Sequence, residues 1–185
     1  MQKGNDYMEQ IRHMHIAGAL DGIQSHIRHA GELLKIEVPE IVVVPYQYDF
    51  MGQHKIVDVW YDEILLGDPS MGYFVPSAGI IISRFNPYEK VPVAEPELLA
   101  SIIHELRHVW QYTYHRTEYY QNNTVGEATI KDPAEVDADA YAMVYMRNYT
   151  LYQPHTYDDR IGMSMALDGG ARLNRIMQLE SHMKR

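Results

Sequence analysis

An α+β fold is predicted for this chain by three observations on its 185 residues: apolar positions at helical spacing near the N-terminal end, short strand-like segments confined to residues 41–83, and helical segments filling the second half. The length fits one domain with a sizeable core, so residues 1–185 are expected to form a single unit. The sheet is expected to be small and mostly antiparallel, and to lie immediately before a long helix.

Taken in order, Ile16, Leu20, Ile23, Ile27, Ala30 and Leu34 step by four and three, the spacing of a long N-terminal helix with one buried face. Pro39 ends that pattern. Ile41-Val42-Val43-Val44, β-branched and bounded by Pro39 and Pro45, reads as a buried strand. The segment from Lys55 to Leu66 fits neither period cleanly and is read as strand or short helix. Gly72-Tyr73-Phe74-Val75 and Gly79-Ile80-Ile81-Ile82-Ser83 flank Pro76-Ser77-Ala78, whose turn chemistry predicts a hairpin.

Leu98, Leu99, Ile102, Ile103, Leu106 and Trp110 mark the apolar side of a helix from about Glu95 to Tyr114. Thr117 to Thr129 reads as a loop. Asp132-Pro133-Ala134-Glu135 is a helix start, with Asp132 as N-cap and Pro133 in the first turn, and that helix is expected to reach about Asn148. Gln153-Pro154 interrupts, a short helix is predicted from Asp158 to Leu167, and Gly169-Gly170 precedes a terminal helix around Leu173, Ile176, Met177 and Leu179. The C-terminus is therefore helical.

Composition narrows the function classes. Hydrophobic residues make up 46% and charged ones 22%, which argues for a globular chain over a disordered one. A formal charge of -9 disfavours nucleic acid or an anionic membrane as partner. With no cysteine, disulfides and thiolate ligands are excluded, and a metal site has to be built from nitrogen and oxygen. Lys3, Asp6, Glu9 and Arg12 interrupt the first residues, so no signal-peptide core is visible, and the apolar runs elsewhere are too short to cross a bilayer. A soluble cytoplasmic protein is expected. The fifteen tyrosines against three phenylalanines fit a wet cleft and ordinary surface packing equally well.

The most informative stretch is His104-Glu105-Leu106-Arg107-His108, inside the Glu95 to Tyr114 helix. Residues four apart lie one turn up the same face, so His104 and His108 can offer two imidazole nitrogens to one ion, with Glu105 beside them. This is the HExxH pattern of zinc-dependent hydrolases, in which the glutamate is the general base. A catalytic zinc site needs a third protein ligand. A third histidine on the same helix is excluded, because the positions where known patterns would place glycine or histidine hold Gln111, Tyr112 and Tyr114. His115, seven residues past His108, is about 10 Å further along the axis. A carboxylate from a second helix remains, and Glu135-Val136-Asp137-Ala138-Asp139 offers one.

His104-Glu105-xx-His108, followed 27 residues later by Glu135-xxx-Asp139, resembles the gluzincin metallopeptidases, and most of all the small intracellular forms related to the ImmA/IrrE and M48 groups. The resemblance covers roughly Gly79 to Tyr145. It implies a zincin-like fold, with Zn2+ as cofactor and a peptide or protein as substrate. It further implies Glu135 as third zinc ligand, Asp139 as the group that orients His104, and Glu105 as the catalytic base. Glu135 and Asp139 share a helix face, whereas Asp137 points away and is read as solvent-exposed charge.

Competing readings attach to the same residues. Three positions after Asp132, Glu135 is well placed for a capping box, and Arg107 can pair with Glu105 on a solvated helix face. His13, His15, His26 and His29 read as polar positions on an amphipathic helix. Tyr141, Tyr145, Tyr149, Tyr152 and His155 are candidates for steadying an oxyanion. The strand at Gly79 to Ser83, if at the sheet edge, would accept substrate as an added strand. Two rivals to a peptidase are a zinc-binding regulatory domain of the same fold with little activity, and a helical protein carrying the motif by chance.

Overall fold

In the computed structural model, the described residues are 12–13, 15–45, 72–75, 79–85, 91–117, 133–151 and 170–183. Among them are four helices, α1 (Gln24–Leu34), α2 (Glu95–Tyr114), α3 (Pro133–Tyr149) and α4 (Ala171–Met183). Three strands, β1 (Ile41–Val44), β2 (Gly72–Val75) and β3 (Gly79–Ser83), complete an α+β arrangement. The readings for 55–66, the turn at 76–78, most of the 117–129 loop, the cap at Asp132 and the short helix at 158–167 fall outside the described residues.

The expected long N-terminal helix is shorter than its apolar spacing predicts. Residues 16–23 form successive turns, in which Ala19, Asp21 and Ile23 each donate to the carbonyl three residues back. Gly18 sits at φ +75°, a left-handed conformation that ends any helix passing through it. The Ile16 N–H is committed to the carbonyl of Val43, and the Val43 N–H donates to His15 Nδ1 at 3.1 Å, so this segment is fastened to β1. α1 then buries Ile27, Ala30 and Leu34 and closes at Lys35, whose left-handed backbone lets its N–H and that of Ile36 satisfy the last carbonyls of the helix.

The sheet order is β1-β3-β2. β3 pairs antiparallel with β2, from Gly72↔Ile82 to Val75↔Gly79, and parallel with β1, from Ile41↔Ile80 to Val44↔Ser83. The sheet is thus mixed, not mostly antiparallel, and β3 is its central strand, not an edge. Its residues Ile80, Ile81 and Ile82 are fully buried, the continuous apolar run expected where both faces are covered.

α2 packs on β2, β3 and α1 through Leu98, Leu99, Ile102, Ile103 and Leu106, and begins with Pro96 and two acids in its first turn, where the helix dipole favours them. α3 lies between α2 and α4 and is buried nearly all round, from Ala134 to Met146. The inward face of α4 consists of Arg172, Ile176 and Leu179, while Leu173 and Met177 face outward. No helix among the described residues is long and apolar enough to cross a membrane.

Candidate metal centre

α2 and α3 bring His104, His108 and Glu135 together at their contact, as the spacing on each helix predicts. One ligand atom from each of the three lies within 4.8 Å of the others. His104 Nε2 and His108 Nε2 are 3.0 Å apart, and each is 3.1 Å from a Glu135 carboxylate oxygen. Glu135 therefore faces the histidines.

The opposite nitrogen of each ring shows which electron pairs converge. His104 Nδ1 lies 2.8 Å from Asp139 Oδ1, and a carboxylate accepts, so Nδ1 carries the proton. His108 Nδ1 lies 2.8 Å from Gln111 Oε1. The Gln111 amide is oriented by its nitrogen, which donates to the Ala134 carbonyl at 3.0 Å and to Asp137 Oδ2 at 2.9 Å, leaving its oxygen to accept from His108. In the neutral rings both Nε2 atoms then present lone pairs toward each other and toward a carboxylate. Three electron pairs held this close repel unless a cation sits among them, and two imidazoles with one carboxylate are a borderline donor set that suits a divalent transition metal, zinc among others. The residues present fit such an ion.

Protons are the alternative cation. Burial disfavours the charged form of His104, but the Asp139 and Glu135 carboxylates reverse this and hold its pKa well above the usual histidine value. Burial likewise lowers the His108 pKa, but the Glu135 carboxylate more than offsets this and leaves it raised. Glu135 is pushed up by burial and pulled further down by the two histidines, to well below an ordinary carboxyl. The histidine contribution to metal-free stability is complete below their ordinary value of 6.5 and lost as pH rises through the folded values; that of Glu135 is complete above 4.5 and lost as pH falls through its folded value. Metal-free protein is thus expected to melt at higher temperature at about pH 6 than at about pH 8, and a bound divalent ion, which needs the lone pairs bare, to reverse that order. Thermal melts with and without chelator check this, and a metal-free Tm that rises over that interval contradicts it.

Glu105 is buried at 6% exposure on the adjoining face of α2, against β2. The Phe74 backbone N–H bonds its carboxyl, and burial raises its pKa against the opposing pull of His104 and His108. Gly72 makes the approach possible, since a Cβ there would stand 2.5 Å from Ile82 Cδ1 and 3.1 Å from Glu105 Cγ and Oε1.

Other expectations need correction. Asp137 is neither solvent-exposed nor idle: it accepts from Arg107 Nε at 2.7 Å, from Gln111 and from Arg175 Nε at 2.7 Å. Arg107 accordingly pairs with Asp137 instead of Glu105, with its guanidinium 3.6 Å over the Trp110 ring. The Tyr145 hydroxyl donates to the His26 carbonyl at 2.9 Å and Tyr149 packs edge-on to His29, so these two tyrosines serve the α1–α3 contact, while the Tyr141 ring lies against Arg107. His26 and His29 are structural in the same contact, and Tyr152 and His155 lie outside the described residues. Gln111, Arg172 and Arg175 were not legible as site residues. The available signal was Arg172 itself, which stands four and seven positions before the core residues Ile176 and Leu179, where a charge demands a buried partner.

Compared with known proteins, the chain matches no family model, no curated protein and no solved structure.

Proposed function

We propose that this protein is a zinc-dependent metallopeptidase of zincin-like fold and gluzincin type, acting inside the cell on peptide or protein substrates. The observation that carries the reading is the convergence of His104 Nε2, His108 Nε2 and Glu135 at 3.0 to 3.1 Å, with Glu105 buried beside them. Three protein ligands leave a fourth position open, the arrangement of catalytic zinc rather than of closed structural sites. When bound, the ion supplies Lewis-acid polarisation of a water and of a substrate carbonyl.

The chain's own residues do the rest. Glu105 takes a proton from the water that attacks the carbonyl carbon, and returns it to the amine nitrogen as the C–N bond breaks. Its raised pKa suits both halves of that exchange. Asp139 and Gln111 hold the two rings by their Nδ1 protons, so the Nε2 lone pairs stay directed at the ion. β2, which has β3 on only one side among the described residues and whose Phe74 N–H touches Glu105, is the strand to which an extended substrate would add.

The test is metal analysis of the purified full chain together with cleavage of an unstructured protein such as casein. Zinc close to one per chain, and cleavage that chelator abolishes and zinc restores, are expected. Zinc far below one per chain and not restored by adding it overturns the metal site. Stoichiometric zinc without cleavage overturns the peptidase and leaves a zinc-binding regulatory domain.

A further inference from the structure

α4 supplies no atom to the His104, His108 and Glu135 cluster, yet two of its side chains reach the groups behind it. Arg172, 3% exposed, places Nη2 2.6 Å from Asp139 Oδ2, while Asp139 Oδ1 holds His104 Nδ1 at 2.8 Å. One turn further, Arg175 Nε lies 2.7 Å from Asp137 Oδ1. The other Asp137 oxygen accepts from Gln111, whose own oxygen accepts from His108 Nδ1. Each histidine is thus the far end of a chain of hydrogen bonds that starts on α4.

The two arms differ in strength. Arg172 is enclosed beside Ile176 and Leu179, and a guanidinium at such a position is costly unless its charge is met, so its geometry toward Asp139 is tightly held. Arg175 is about a third exposed and shares Asp137 with Arg107, so its loss is partly covered. Without Arg172, Asp139 is left buried with its charge less compensated, and its hold on the His104 Nδ1 proton is weaker.

We infer that α4 braces the metal site: Arg172, through Asp139, holds His104 in its metal-ready tautomer, so that metal binding and the docking of α4 on α3 strengthen each other. The inference rests on the metal-site reading given above. Because coupling is reciprocal, whatever free energy Arg172 lends to binding, the ion returns to α4 docking. Arg172 is a positioning residue and touches neither the ion nor substrate.

The experiment measures zinc affinity of the full chain by competition with a chromophoric chelator, and amide hydrogen exchange of α4 against α1 with and without zinc. Arg172→Met is expected to weaken zinc binding about 10-fold, and Arg172→Lys to recover part of that loss, since a single charged contact is remade. Arg147→Met, which removes an exposed α3–α4 pair with Glu180 at 3.4 Å, should leave zinc affinity unchanged. In the wild type, zinc should slow exchange in α4 more than in α1. Wild-type affinity in a folded Arg172→Met protein, or equal slowing of α4 and α1, overturns the brace. Should Arg172→Met not fold, the wild-type exchange comparison decides alone. A wild type that takes up no zinc fails at the metal site itself, and the brace falls with it.

Discussion

Glu105→Gln is expected to lower peptide hydrolysis by about 10²- to 10⁴-fold, the usual worth of a positioned general base, while zinc content stays at the wild-type level. Glutamine keeps the length and planarity of the side chain. It can still accept from the Phe74 N–H and fits beside Gly72, so the local packing against β2 is preserved. Glu105 is not among the three residues whose ligand atoms converge, so no donor to the ion is lost. What disappears is the ability to take a proton. Burial raises the Glu105 pKa, which means that its ionised form costs stability, and a neutral amide removes that cost. The variant should therefore melt no lower than wild type, which separates lost chemistry from lost folding. Single-turnover cleavage of a quenched peptide, with zinc measured on the same sample, checks this. Cleavage at more than about a tenth of the wild-type rate would place the base elsewhere.

The elements that local pattern encodes were legible. α2 follows from apolar spacing, α3 from the helix start at Asp132-Pro133, and β1 from a β-branched run between prolines. What failed depends on distant partners. Nothing in residues 16–23 announces that Ile16 hydrogen-bonds to Val43, and the parallel pairing of β1 with β3 joins strands separated by about 35 residues, beyond the reach of a periodicity argument. The same division holds at the site. His104, His108, Glu135 and Asp139 meet as predicted because spacing on two helices fixes their faces. Asp137 was misjudged because facing away from the histidines is not the same as facing water when a third helix, α4, lies on that side.

Glu135→Ala is expected to weaken zinc binding by more than about 100-fold, since loss of a ligand should exceed the 10- to 100-fold cost of losing an outer partner. The substitution also decides between two roles that the sequence allows. If Glu135 were a capping-box residue of α3, alanine would cost on the order of 1 kcal/mol of stability and leave zinc untouched. Its carboxylate instead stands 3.1 Å from both Nε2 atoms. In metal-free protein it is the main charge that raises His108, and it adds to the larger effect of Asp139 on His104. Removing it leaves two rings 3.0 Å apart with less reason to hold a proton between them. Metal-free Glu135→Ala should thus lose part of the wild-type preference for pH 6 over pH 8 in its melts, because the His108 pKa falls back while Asp139 still raises that of His104. Zinc affinity by chelator competition and melts at the two pH values supply both readouts on one variant. Wild-type zinc affinity combined with a less stable α3 would return Glu135 to the capping role and leave His104 and His108 without their carboxylate ligand.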